Sequence, residues 1–145
     1  MNIRSRAESG IKVGGQSLHK LISEDKIPFN GMKGKMIPDA PGVYLIFEKD
    51  NPIYAGKSTN LRRRVCYKLS KGNKKHYLAK NLIKHRFHDK IKFQNYLTDN
   101  CSVQCIETEN ADEAQWMEHF IIGTIRPIYN GGENAFEMEK DNRDE

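Results

Sequence analysis

Two β-rich stretches separated by a short turn constrain this chain more than any other feature. Gly42–Phe47 (GVYLIF) is dense in β-formers, Glu48–Asn51 is turn-like, and Pro52–Ala55 resumes β character, so the segment reads as a hairpin. Strand side chains alternate between two faces. Placing Tyr44 opposite Tyr54 therefore sets both rings on one face of the sheet.

The 145 residues suit one compact domain and are too few for two ordinary ones. Residues 1–37 contain glycines at 10, 14, 15, 31 and 34 among many basic side chains, and read as a lightly structured arm with one short helix near Leu18–Ile22. Past the hairpin, Leu61, Val65 and Leu69 recur at i, i+4 and i+8 behind Asn60, an N-cap candidate, which describes a basic amphipathic helix. Tyr77–Phe87 reads as a second helix, with Leu78, Leu82 and Ile83 on one side. Ile91–Leu97 and Ser102–Glu107 look like further strands. Asn110-x-x-Glu113 resembles a capping box before a helix reaching about Ile125, which Pro127 and Gly131-Gly132 terminate. The expected architecture is α/β of the α+β kind: a small, mainly antiparallel, three-stranded sheet flanked by helices over residues 38–132. A basic arm (1–37) precedes it and an acidic tail (133–145), expected to be disordered, follows.

Charge is distributed more tellingly than the net +5 suggests. Between Gly56 and Lys92 there are 13 Lys or Arg residues and one acid, Asp89, whereas from Glu107 onward 11 acids face Arg126, Lys140 and Arg143. A concentrated basic block is what phosphate neutralisation requires, because each cation that displaces a condensed counterion adds sequence-independent affinity. A solvated helix face carries the same composition. The longest apolar run, Val43–Phe47, falls far short of a membrane span, and residues 1–10 lack the apolar stretch of a signal peptide. A soluble cytoplasmic protein without a membrane partner is expected. Cys66, Cys101 and Cys105 suit reduced thiols, and the spacings Cys101-x-x-x-Cys105 and His85-x-x-His88 are not strong zinc signatures.

Phosphodiester hydrolysis needs a group to orient or deprotonate water, cations to hold the non-bridging oxygens and a carboxylate to fix a divalent metal. Tyr44 and Tyr54 would share one face of the hairpin. Arg64 borders the buried stripe of its helix. Glu118 has Ala114, Ile121 and Ile122 at i−4, i+3 and i+4, which draw its carboxylate toward the apolar side, where it wants a cation. Taken singly, each has a plainer explanation: strand tyrosines pack at the rim, helix arginines are solvated, and His76, His85 and His88 read as surface residues.

Taken together, these spacings match a family. Gly42-Val43-Tyr44, Tyr54-Ala55-Gly56, Leu61 and Arg64 resemble the GIY-YIG nuclease signature. Pro41–Val65 looks most like the amino-terminal nuclease domain of the bacterial excision-repair incision subunit. The likeness continues through Glu113–Glu118 and Arg126-Pro127-Ile128-Tyr129-Asn130. The resemblance implies a DNA endonuclease that uses one Mg²⁺ or Mn²⁺ ion. Tyr44 and Tyr54 would be the motif tyrosines, either one the general base, with Arg64 the phosphate-facing arginine. Glu118 would be the metal ligand and Asn130 the residue that closes the site. Gly42 and Gly56 would be structural, Gly56 allowing close backbone approach, and Lys57 would lie beside the tyrosines. Lys57, Arg62, Arg63, Lys68, Lys74, Lys75, His76, Lys80 and Lys84 are the expected nucleic-acid contacts. Some members carry a further Tyr or His one turn after the arginine. Position 68 is Lys here, leaving Tyr67, a residue early, or His76 in that role. The partners implied are DNA and a protein that supplies specificity, with repair, restriction and mobile-element roles all open. The alternative is a nucleic-acid-binding module on the same fold without catalysis.

Overall fold

A computed structural model describes residues 2–137. Its centre is an antiparallel sheet of four strands in the order β1-β4-β2-β3, with β1 Ile27–Pro28, β2 Gly42–Glu48, β3 Asn51–Ser58 and β4 Cys101–Glu107. The hairpin is β2 and β3, and Ser102–Glu107 is the strand the sequence suggests. The fourth strand exceeds the expected three. At two residues, β1 is too short for a period-2 signal, and its proline is tolerated because an edge position demands no ladder N–H. Gly42 opens β2 because a Cβ there would meet the Ile106 carbonyl oxygen at 2.2 Å and a Leu61 methyl at 2.6 Å.

The expected arm is instead a long helix, α1 (Ile3–Ser23), capped by the Asn2 side chain accepting from Ser5 N. Its glycines do not break it. Gly14 is where the Phe120 ring of α4 (Ala111–Ile125) comes closest, and a Cβ there would lie 2.4 Å from that ring. Leu18 and Leu21 join Val43, Leu45, Phe47, Ile106, Met117 and Ile121 in one apolar cluster between the sheet, α1 and α4. Gln104 Nε2 donates to the carbonyls of Ile22 (3.2 Å) and Glu24 (2.6 Å), tying the end of α1 to β4.

The opposite face is covered by helices from residues 61–100. A π-type helix, Arg63–Leu69, continues a turn begun at Leu61, with Arg63 N donating to Asn60 Oδ1 as the sequence suggests. Leu61, Val65 and Leu69 are fully buried, which stabilises by about 1.5–3 kcal/mol apiece. Helix α2 (Tyr77–Leu82) runs into a second π-type segment, Ile83–Phe87. Ile91–Leu97, expected as a strand, belongs to helix α3 (Lys90–Asn100). Its β-forming residues suggested a strand. The Asp89 side chain caps Ile91 N, and Phe93, Tyr96 and Leu97 bury one face at i, i+3 and i+4 spacing.

After α4 the chain turns through a 3₁₀ segment, Ile128–Asn130, and residues 133–137 are helical. Phe136 is buried against Tyr129 with ring centroids 4.6 Å apart, so this beginning of the acidic tail is ordered. The rest of the tail, 138–145, lies outside the described residues.

Candidate active site

Register places the two motif tyrosines diagonally. Tyr44 pairs with Gly56 and Tyr54 with Ile46, so the rings are not directly opposed as the sequence suggested. They still share one face, with centroids 6.2 Å apart. Gly56 is what admits Tyr44, since a Cβ at that position would stand 2.3 Å from the Tyr44 Cζ and Oη atoms. Burial raises the Tyr44 phenol well above its ordinary range, with Tyr54 and Glu118 adding to the rise and Arg64 opposing it. Tyr54 is pushed up to about 12, again chiefly by burial, then by Glu118.

His76, expected at the surface as a nucleic-acid contact, is fully buried inside this cluster. It is the N-cap of α2: its Nδ1 accepts from Leu78 N at 3.2 Å. A neutral imidazole whose Nδ1 accepts must carry its proton on Nε2, so Nε2–H donates to Tyr44 Oη at 2.7 Å. Burial, reinforced by Arg64 and Lys68, lowers His76 to about 3 and keeps it neutral. Its ring lies edge-on to Tyr54 at 5.9 Å, and Tyr77 stacks on the same tyrosine at 6.2 Å. Tyr67 is 57% exposed, and its hydroxyl turns toward Gly34, so of the two it is His76 that lies among the tyrosines. A histidine just ahead of an apolar helical run could have signalled this cap, but the surrounding lysines masked it.

Arg64 projects from the π-type helix beside Tyr44, where its charge opposes the rise of the phenol. Its Nε is buried and has no partner among the described residues. An unsatisfied buried donor is costly, so one on a cation awaits an anionic acceptor.

Glu118 and Asn130 act on the outer edge of β3. Strand β3 ends the sheet, so its outward amides have no neighbouring strand. Asn130 pairs with it as a strand would, Oδ1 accepting from Ala55 N at 2.8 Å and Nδ2 donating to Ala55 O at 2.9 Å. The next outward amide, Lys57 N–H, faces the Glu118 carboxyl and helps to hold its pKa down. Glu118 reaches this edge from α4 with its side chain 15% exposed. Burial raises its pKa, while the Lys57 and His119 charges hold it down.

Other cations fall into three groups. Arg63, Arg64 and Lys68 line a cleft of about 320 Å³ with Lys57, the Ser58–Asn60 loop and the start of α4. Lys57 is not beside the tyrosines: strand alternation puts it on the opposite face, where Nζ donates to Gln115 Oε1 at 3.1 Å. Lys74, Lys80 and Lys84 gather with His88 around a second depression, while Lys75 is exposed. Arg62, expected as a nucleic-acid contact, is a structural tie, its Nε donating to Ile37 O at 3.0 Å and its Nη1 lying 3.7 Å from Asp39.

Among the described residues no cluster of three His, Cys, Asp or Glu side chains could hold a metal, and no helix is long and apolar enough to cross a membrane. Glu118 is, among the described residues, the carboxylate whose charge acts on both tyrosines.

The model of the UvrC-like GIY-YIG domain matches residues 40–131, an interval that contains every site residue above and excludes α1. UvrABC system protein C of Hydrogenovibrio crunogenus is 30% identical over 97 residues, covering 66% of this chain and 13% of that protein. The protein of the same name from Alkaliphilus metalliredigens is 33% identical over 97 residues with the same coverage. The chain thus spans about 13% of the length of the curated relatives it matches. Among solved structures, the magnesium-bound GIY-YIG N-terminal endonuclease domain of UvrC from Thermotoga maritima is 28% identical, with a TM-score of 0.41 over 68% of this chain and 98% of that one.

Proposed function

The chain belongs to the UvrC-like GIY-YIG domain family, and on that premise we propose that it is a divalent-metal-dependent endonuclease that hydrolyses DNA phosphodiester bonds. The observation that carries the proposal is the unpartnered, buried Nε of Arg64 beside Tyr44. The same guanidinium also lines the cationic cleft, where its outer nitrogens can meet a phosphate oxygen and act on developing charge.

Glu118 fits a hard divalent cation such as Mg²⁺ or Mn²⁺. Such ions are commonly held by one or two carboxylates, with waters and substrate phosphate completing the shell. The half-buried carboxylate, one oxygen steadied by Lys57 N–H, offers that single anchor. A bound ion would supply Lewis-acid stabilisation and a more acidic water. Glu118's negative charge helps hold both phenols high, so a neutralised Glu118 eases deprotonation of each.

Tyr44, as the phenolate left once its own proton has passed to solvent, is the tyrosine best placed to take a proton from water. His76 Nε2–H donates to its oxygen and the Arg64 charge opposes the rise that burial imposes on its phenol, whereas Tyr54 is surrounded by rings. His76 cannot itself accept the Tyr44 proton, because its Nδ1 is engaged by α2 and its Nε2 already carries hydrogen. Asn130 holds the edge of β3 and with it Tyr54. Arg63 and Lys68 extend the cationic track from the site, and the Lys74, Lys80 and Lys84 group supplies a further backbone contact. The naming of the relatives as components of a UvrABC system supports a protein partner that directs the cut.

The test is incubation of purified protein with supercoiled, linear, branched and single-stranded DNA in Mg²⁺, in Mn²⁺ and in chelator. Metal-dependent cutting of any substrate is expected. Tight binding without cutting in either metal would overturn the nuclease proposal in favour of a binding module.

A further inference from the structure

Beside the cationic cleft runs a groove with different chemistry. It lies between α1 and α4, encloses about 590 Å³ and is lined by Arg6, Gly10, Val13, Asp112, Glu113 and Trp116, among others. Asp112 also lines the cleft that holds Arg63, Arg64 and Lys68, so the two depressions are neighbours on either side of it. Trp116 is the only tryptophan in the sequence. Its indole stacks on Phe120 with centroids 6.1 Å apart yet remains 42% exposed. Phe120 is in turn held by the close approach to Gly14. The ring is therefore a supported flat surface open to solvent.

Building on the proposed action on DNA, we infer that this groove is a stacking subsite for one unpaired nucleobase of the strand whose phosphates occupy the cationic cleft. The charges separate base from backbone. Asp112 and Glu113, which outnumber Arg6 in the lining, disfavour a phosphate but can accept hydrogen bonds from the exocyclic amines of cytosine, adenine or guanine, Glu113 through Oε1 because its Oε2 accepts from Glu109 N. Arg63 and Lys68 next door attract the backbone. A supported indole stacks on any base through its π-face, as single-strand-binding proteins do. The groove is formed by α1, which lies outside the family-matched residues, so the subsite is a property of this chain's own arrangement.

The single tryptophan makes the contact directly measurable in chelator, where no cutting intervenes. A single-stranded oligonucleotide should quench tryptophan fluorescence on binding. A wholly abasic oligonucleotide of the same length should compete for the cations without quenching, and an intact duplex should quench little. Trp116→Ala should weaken single-strand binding about tenfold while leaving abasic binding unchanged. Gly10→Leu provides an independent block, because a Cβ at that position meets nothing within 4 Å and the larger side chain fills the groove without straining α1. It should abolish quenching with Trp116 intact. Equal quenching by the abasic strand, or none by any oligonucleotide, would overturn the subsite. Cutting without quenching would remove the subsite and leave the nuclease; quenching without metal-dependent cutting would do the reverse.

Discussion

On one face of the sheet, Val43, Leu45, Phe47 and Ala55 meet Leu21 of α1 and Met117 and Ile121 of α4 in a cluster of apolar side chains. On the other, Tyr44 and Tyr54, drawn from the same two strands, meet His76 and Arg64. Alternation along β2 and β3 is the whole difference in backbone terms. What separates the faces is the edge between them. Glu118 belongs to a helix of the apolar face, yet its carboxyl reaches the Lys57 amide on the outer edge of β3 and acts electrostatically on both tyrosines. The apolar side thus stabilises the fold and delivers one charge to the chemistry at the rim.

The sharpest way to break that division is to remove this charge. Glu118→Gln keeps an oxygen for the Lys57 amide and should leave the thermal midpoint in chelator nearly unchanged, yet it should abolish Mg²⁺-dependent cutting. Mg²⁺ should stabilise the wild type against heat and leave this variant unaffected. Because burial raises the Glu118 pKa, wild-type metal affinity should weaken on acidification sooner than an ordinary glutamate would allow. Cutting by Glu118→Gln at the wild-type rate would show that the rim carboxylate takes no part.

Gly56→Ala probes how closely the polar face is fitted. The added methyl would lie within van der Waals overlap of the Tyr44 hydroxyl, which is buried and cannot withdraw. Overpacking of this kind costs about 1–3 kcal/mol, read from chemical denaturation, and displacement of Tyr44 should lower kcat at near-normal DNA affinity. Alanine is accommodated at half-buried Gly10, where its Cβ meets nothing within 4 Å, so the contrast between the two glycines is part of the test.

His76 gives a pH signature that the apolar face cannot. An unfolded histidine takes up its proton near 6.5, whereas His76 in the fold does so near 3. Between those values the unfolded chain binds the additional proton, so this contribution to stability is complete above 6.5 and is lost as the pH falls toward 3. The slope should approach about 1.4 kcal/mol per pH unit. His76→Asn retains an N-capping side chain for α2 and should flatten that slope. An unchanged slope would mean that His76 is accessible to protons.

The features legible in the sequence were those written in local pattern. The hairpin rests on β-forming composition around a turn, and the basic helix behind Asn60 and the α4 start at Asn110 on periodicity plus a cap, and both caps accept the amides that the spacing implied. Long-range packing decided the rest. Helix α1 was hidden because Gly14 reads as a breaker until Phe120 is seen to occupy the space that it leaves. Lys57 was misplaced by treating sequence adjacency to Tyr54 and Gly56 as spatial proximity, although alternation sends it to the opposite face. Arg62 and Arg63 look alike in a basic run, and only Ile37 O and Asp39 distinguish Arg62 as structural. Tyr44, Tyr54, Arg64 and Glu118 were singled out because their order along the chain resembles a family pattern, and their charges and rings lie together in the fold; composition alone would have left Arg64 indistinguishable from its neighbours.

Those neighbouring arginines offer the most direct test of the assembled site, through single-turnover cleavage rates measured beside DNA affinity and thermal midpoint for alanine at 62, 63 and 64. Loss of a donor aimed at developing charge typically costs on the order of 10²- to 10³-fold in rate. Arg64→Ala should show that loss at nearly unchanged affinity. Arg63→Ala should weaken affinity alone, and Arg62→Ala should lower the thermal midpoint by freeing the segment at Ile37 and Asp39. A dead Arg62→Ala enzyme beside an active Arg64→Ala one would contradict the convergence of Arg64, Tyr44 and Glu118 on which the account depends.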